Sequence, residues 1–234
     1  MNFLSADLLH RRTRSLTAGR SAGLSTTPEA PQAEGYTFGG WYKEAGCTNA
    51  WDFDEAVTSD VTLYAKWTAV AYTIEYDLAG GSVSTANPES YTADTETFTL
   101  NNPTKEGYDF AGWTGTGLTG AQETVTIAKG STGDKSYTAV WTATEYTIGY
   151  TLNEGSATNP AKYTIESGDF TLNNPARNGY TFTGWTGSNG DTPQTSVTIT
   201  KGSTGAKNYT AHWKATSSED GLSAGTRTQN LRQT

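Results

Sequence analysis

The chain has 234 residues, of which 34% are hydrophobic and 17% charged, and it carries 43 Thr, 26 Gly, 13 Tyr and 7 Trp but only 13 Leu and one Met. Side chains branched at Cβ lose χ1 freedom in a helix and fit a pleated surface, so this composition excludes long helices, coiled coils and helical bundles. The net charge of −8 excludes nucleic acid as the main partner, and no apolar run approaches the roughly 20 residues that a membrane-spanning helix needs.

Residues 1–34 are expected to be a disordered leader. They are rich in Arg, Ser, Thr, Ala and Pro, with Arg11, Arg12, Arg14 and Arg20 set against Asp7 in the first 20 positions. Their apolar residues, Phe3, Leu4, Leu8 and Leu9, are broken by Asp7 and followed by arginines, the reverse of a secretory signal. The stretch from Gly35 to Trp213 is different, with 9 basic and 19 acidic residues and a net charge of −10. Cys47 is the sole cysteine, which excludes an intramolecular disulfide and a thiolate metal cluster and leaves it as a small turn residue.

From Tyr72 onward the chain repeats itself. Tyr72 to Leu78 (YTIEYDL) recurs as Tyr146 to Leu152 (YTIGYTL), an offset of 74. FTLNNP from Phe98 recurs from Phe170, GYDFAGW from Gly107 recurs as GYTFTGW from Gly179, and the segment closing at Trp141 recurs closing at Trp213, all at an offset of 72. Two residues are therefore missing from one loop, a change that a shared fold tolerates. Two complete repeats follow, 72–141 and 146–213. A partial one, 35–68, precedes them: Gly35 to Trp41 reads GYTFGGW and Val61 to Trp67 reads VTLYAKW, with no opening-strand pattern before them. Residues 214–234 are expected to be a disordered tail.

Within a complete repeat the pattern has a period of two. Tyr72, Ile74, Tyr76 and Leu78 share one face of a strand, Thr73, Glu75 and Asp77 the other, and Ala79-Gly80-Gly81 ends it. Phe98 and Leu100 continue until Asn101-Asn102-Pro103 breaks the ladder. Tyr137, Ala139 and Trp141 share a face of the closing strand, as do Tyr209, Ala211 and Trp213. The core is thus aromatic and thin, and a unit of about 70 residues is only marginally stable.

The Gly-Tyr-x-Phe-x-Gly-Trp element, followed in the first unit by a Leu-Tyr-Ala-Lys-Trp strand, resembles the Listeria-Bacteroides repeat family, the internalin B-repeat. Residues 35–67 resemble its C-terminal half almost throughout, while the two later units replace the Trp51-Asp52-Phe53 segment with Gly- and Thr-rich loops. The resemblance implies a mainly β, β-grasp-like module (α+β, with one short helix or an irregular crossover) strung in tandem on bacterial surface proteins, a spacer and interaction module and not an enzyme. It also implies a surface location, with a host or cell-surface protein or glycan as partner. The chain itself shows neither signal peptide nor anchor, and is expected to be a fragment of a longer protein. The motif residues expected to build the fold are Gly35, Tyr36, Phe38, Trp41 and Trp67; Gly107, Tyr108, Phe110, Trp113 and Trp141; and Gly179, Tyr180, Phe182, Trp185 and Trp213. The glycines are expected where a Cβ is disfavoured, the aromatics in the core. The alternative is a carbohydrate-binding module with exposed aromatics, Trp113 and Trp185 above all.

No catalytic, cofactor or metal site is expected. Gly115 to Gly120 spells GxGxxG, but a dinucleotide site needs a helix next, and a strand pattern follows. The loops at Gly130–Lys135 and Gly202–Lys207 faintly resemble phosphate loops but read as hairpin turns. Asp52, Asp54 and Glu55 form the densest acidic group without the spacing of a calcium loop. His10 lies in the leader, and His212, adjacent to Trp213, is expected to point away from the core.

Overall fold

A computed structural model describes residues 13–16, 29–55 and 57–216. They fall into two compact units dividing between Thr142 and Ala143. The N-terminal one, which combines the partial repeat (the first unit) with repeat 2, holds β1 (Thr13–Leu16), β2 (Tyr36–Tyr42), β3 (Val61–Ala69), β4 (Tyr72–Asp77), β5 (Ser90–Tyr91), β6 (Phe98–Thr99), β7 (Tyr108–Gly115), β8 (Thr126–Ile127) and all but the last residue of β9 (Lys135–Ala143). The second holds β10 (Tyr146–Thr151), β11 (Lys162–Tyr163), β12 (Phe170–Thr171), β13 (Tyr180–Gly187), β14 (Gly190–Gln194), β15 (Thr198–Ile199) and β16 (Lys207–Ala215). No helix occurs among the described residues, so the crossovers are irregular and the fold is mainly β.

In repeat 2 the closing strand is central. The sheet order is β5-β4-β9-β7, with β6 and β8 forming a separate two-stranded ribbon. The opening strand β4 runs antiparallel to β5 (Tyr72↔Tyr91) but parallel to β9, in the register Ile74↔Lys135, Glu75↔Ser136, Tyr76↔Tyr137 and Asp77↔Thr138. Its alternation is realised as read: Ile74 is buried, Tyr72 and Tyr76 are half-buried, and Thr73, Glu75 and Asp77 are exposed. The core gathers Ile74, Tyr91, Leu100, Trp113, Val125, Ile127, Tyr137 and Ala139. Repeat 3 reproduces it position for position with Ile148, Tyr163, Leu172, Trp185, Val197, Ile199, Tyr209 and Ala211. Its sheet is β11-β10-β16-β13-β14, the added edge strand being a hairpin where repeat 2 has only an isolated bridge from Trp113 to Gln122.

Side-chain amides replace rungs where the chain leaves the sheet. Asn87 Nδ2 donates to Asn101 O while Asn101 N–H donates to Asn87 Oδ1, at 3.0 and 2.7 Å, and Asn159 does the same with Asn173. An amide side chain carries the donor and acceptor that a peptide group would offer, so the pair closes as a strand rung would.

The first unit departs from the expected layout. Part of the leader is a strand: β1 pairs antiparallel with β3, Thr13↔Tyr64 through Leu16↔Val61, giving the order β1-β3-β2. It lies beside the closing strand where β4 and β10 lie in the repeats, but runs in the opposite direction. Strand pairing satisfies backbone groups whatever the side chains, so a polar composition does not exclude it. The remainder of the leader up to residue 28, His10 included, and the tail beyond residue 216 lie outside the described residues. Boundaries also move outward by a few residues, with β3 ending at Ala69, β9 at Ala143 and β16 at Ala215. Only Trp41, Leu63 and Ala65 form the buried cluster of the first unit, with Phe38, Trp51, Phe53, Val61 and Trp67 packed around it.

The first unit and repeat 2 touch. Thr132 Oγ1 donates to Glu34 at 3.0 Å and the Tyr36 hydroxyl donates to Asp94, while in the short link between them Val70 N–H donates back to Gly35 O at 2.9 Å. Burial and this carboxylate push the Tyr36 hydroxyl up to about 12.

Candidate functional site

The one constellation shared by all three units is an aromatic triad built by the Gly-Tyr-x-Phe-x-Gly-Trp element and the closing Trp. Phe and Trp three residues apart fall on opposite faces of a regular strand. Here a bulge intervenes, seen as the register shift between Phe38 and Trp41 and between Phe182 and Gly184, and it returns both rings to one face. The glycine at the bulge makes this possible. Gly112 and Gly184 have φ of 128° and 142°, and a Cβ there would lie 2.6 and 2.5 Å from a backbone nitrogen of the neighbouring segment. Phe110 then meets Trp113 and Trp141 edge to face, both at 5.6 Å, Phe182 meets Trp185 and Trp213 at 5.4 and 5.6 Å, and Phe38 meets Trp41 and Trp67 at 5.5 and 5.6 Å.

Each indole N–H in the complete repeats has an assigned acceptor. Trp113 donates to Asn102 Oδ1 and Trp185 to Asn174 Oδ1, at 3.0 and 3.2 Å. Trp141 donates to Leu78 O and Trp213 to Leu152 O, at the end of the opening strand. The closing indole lies against Gly81 or Gly155, where a Cβ would come within 2.4 or 2.3 Å of the ring. Asn-Asn-Pro predicts only the end of a strand, and the pairing of its second Asn with an indole is a finding of the structure. The recurrence of that Asn 11 residues before Trp113 and Trp185 is the signal in the sequence that points to it. In the first unit the indole N–H groups of the two triad tryptophans, Trp41 and Trp67, are buried without a partner.

The remaining motif residues divide by depth. Trp113 and Trp185 are 0% exposed and Trp41 8%. Tyr36 and Tyr108 are half-buried, whereas Tyr180 is 40% exposed, so the motif tyrosines are not core residues. The Arg177 guanidinium stacks 3.8 Å from the Tyr180 ring and pairs with Glu154, and Lys105 lies 4.2 Å from Tyr108. Gly35, Gly107 and Gly179 have φ of 80°, 76° and 74°, the left-handed conformation expected of them.

The other candidates are turns and surface contacts. Gly115, first of the GxGxxG glycines, ends β7 where a Cβ would lie 2.0 Å from Ser136 O, and no helix follows. The Gly130–Lys135 loop is tied back by Gly130 N–H to Ala93 O and by the Tyr91 hydroxyl to Gly133 O at 2.6 Å; Tyr163 holds Gly205 O at 2.5 Å in the sister loop. Asp52 Oδ1 accepts from Asp54 N–H and Glu55 pairs with Lys43, so the acidic group is spent locally. His212 does not point freely outward: it is half-buried, its Nε2 2.7 Å from Thr186 Oγ1 on β13, because β16 is an interior strand with neighbours on both sides. Cys47 occupies a turn at φ 48°, and burial pushes its thiol up, away from the reactive thiolate. Among the described residues no three of His, Cys, Asp and Glu converge to hold a metal ion. A depression of about 680 Å³ in repeat 2, between β4 and residues 83–89, has Glu75, Glu89 and Tyr76 as its titratable lining.

The sequence matches the Listeria-Bacteroides repeat domain over residues 13–66 and 72–139. The chain belongs to this family. Residues 146–217 match the Divergent InlB B-repeat domain. The first of these matches begins at β1 and not at Gly35. Among individual proteins, the chain is 36% identical over 172 residues to a "Putative membrane protein" of Evansella cellulosilytica, covering 70% of this chain and 24% of that one. It is 33% identical over 168 residues to a "Putative Gly-rich membrane protein" of the same organism, covering 68% of this chain and 18% of that one. It is 40% identical over 101 residues to Internalin H of Listeria monocytogenes, covering 42% and 18%. The chain thus spans a quarter or less of the length of these relatives. No solved structure matches. Among the described residues no helix is long and apolar enough to cross a membrane.

Proposed function

We propose that this chain is a non-enzymatic tandem-repeat segment of a bacterial cell-surface protein, acting as a spacer that also presents an interaction surface to a host or cell-surface partner. The observation that carries the reading is the use made of the aromatics: in every unit the Phe-Trp-Trp triad is consumed in packing, leaving a module whose chemistry is its own stability. Membership of a repeat family and similarity to proteins described as membrane proteins and an internalin support the surface location. Against the glycan-binding alternative stands the complete burial of Trp113 and Trp185, which leaves neither indole face free to stack on a sugar.

Antibodies raised against residues 72–216 test the location. Labelling of intact cells supports the reading, and labelling only after lysis overturns it. On a glycan array the expected result is no saturable binding. A sugar ligand lost on Tyr180→Ala would establish the alternative, since Tyr180 is the exposed large aromatic among the described residues.

A further inference from the structure

We propose that each complete repeat is a mechanical clamp, built to resist tension along the chain, with repeat 2 the stronger of the two. This deepens the spacer reading and rests on it for its use, since a spacer at a cell surface transmits drag; the clamp itself is argued from strand direction and from the bonds between the strands.

Tension carried by the chain enters repeat 2 at the start of β4, Tyr72, and leaves at the end of β9, Ala143. These two strands are direct neighbours and parallel, paired from Ile74↔Lys135 to Asp77↔Thr138. The pull therefore drives them past each other along their own axes, and every hydrogen bond of the overlap bears load at once. Separation requires the rungs to fail together, a concerted step with a high barrier. Repeat 3 has the same arrangement, β10 against β16 from Ile148↔Lys207 to Thr151↔Thr210. The first unit is the internal contrast. Its β1 runs antiparallel to β3, so tension between Thr13 and Ala69 is applied at the Thr13↔Tyr64 end and opens the ladder one pair at a time.

Two differences rank the complete repeats. Asp134 Oδ1 accepts the Thr73 N–H at 2.8 Å, immediately before the first pair, so a side chain lengthens the clamp by one rung. Ala206 stands at that position in repeat 3 and has no side-chain oxygen to offer. Repeat 3 also places Gly149 inside its opening strand where repeat 2 has Glu75, and glycine weakens a strand interior. The Asp134 bond lies on the surface and outside the core cluster.

The test is single-molecule force spectroscopy on the full chain held at its two ends. Two rupture events are expected, each releasing about 200 Å, the length of roughly 70 residues at 3.3–3.6 Å each less about ten strand rises. Asp134→Ala is expected to bring the stronger event down towards the weaker while leaving the core intact. Direction is the decisive control. In Cys47→Ser/Thr73→Cys/Ser136→Cys, handles on the two cysteines load the neighbouring ends of β4 and β9, so the four pairs open in sequence and rupture force falls by up to about fourfold. Equal force in the two directions overturns the proposal, and so does an Asp134→Ala chain whose two events keep their wild-type separation. Either result would leave the surface reading standing, because that depends on labelling of intact cells.

Discussion

The first unit and the complete repeats use one aromatic motif to different depth. In repeats 2 and 3 the triad rests on eight buried residues, and every indole N–H finds an oxygen supplied by the segment upstream of the motif, Asn102 or Asn174 for one and the Leu78 or Leu152 carbonyl for the other. The first unit has the same ring geometry, but three buried residues in its cluster and two orphaned indoles. At the position of Asn102 it has Ala30, and the slot of the opening strand is filled by β1 in the opposite sense. The motif therefore specifies how rings meet, while the upstream half of a repeat determines how well that meeting is sealed.

The sharpest way to break this comparison is to remove the central indole from each kind of unit. Trp185→Ala is expected to cost about 3–5 kcal/mol, enough to unfold a module of this size, whereas Trp41→Ala costs less because its ring is less enclosed and its N–H is already unpaired. Hydrogen exchange resolved by segment checks both. Equal losses would show that the first unit is sealed as well as the others. A smaller effect is predicted from exchanging acceptors. Asn102→Ala orphans the Trp113 N–H and should destabilise repeat 2 by about 1–3 kcal/mol, and Ala30→Asn should stabilise the first unit by about 1 kcal/mol. Denaturant titration followed by Trp fluorescence reads the change; no gain from Ala30→Asn would refute the claim that the missing oxygen matters.

The mildest effect concerns acid. Glu44 in the first unit accepts from the Thr48 hydroxyl and from the Asn49 and Thr48 N–H groups, and these bonds hold its carboxyl at about 2, below the ordinary 4.5. A lowered value means that the folded turn favours the ionised form. Its contribution is present above pH 4.5 and is lost as pH falls towards 2. The Thr48 and Asn49 amide resonances should move through that window and stop doing so in Glu44→Gln. Resonances that hold still in the wild type would dissolve this contrast between the turns of the units.

Much of this was legible in the sequence. The repeat offsets, the period of two in β4 and β10, and the burial of Trp41, Trp113 and Trp185 follow from the hydrophobic pattern, since one face of each strand must be buried. Three features were not legible, each for a definable reason. The bulge that unites Phe182 and Trp185 is a backbone event at Gly184, and a glycine in a strand does not announce which bond it bends. The parallel pairing of β4 with β9 joins positions some 60 residues apart, beyond any local periodicity. The strand at Thr13–Leu16 owes its place to the unpaired flank of β3, a property of the partner and not of its own residues.

The two-residue difference between the repeats falls between Gly81, which seats the closing indole, and Asn87, whose amide stands in for a rung. Both anchors recur as Gly155 and Asn159 with unchanged partners, although the connection between them is shorter. Between the anchors Ser82 still bridges to Thr104 and the Thr85 carbonyl accepts from Asn101, as Ser156 and Thr158 do with Ala176 and Asn173, so only Val83, Ser84 and Ala86 lie outside these ties. Those three positions are where an inserted peptide would lengthen the chain while the anchors on either side stay in register.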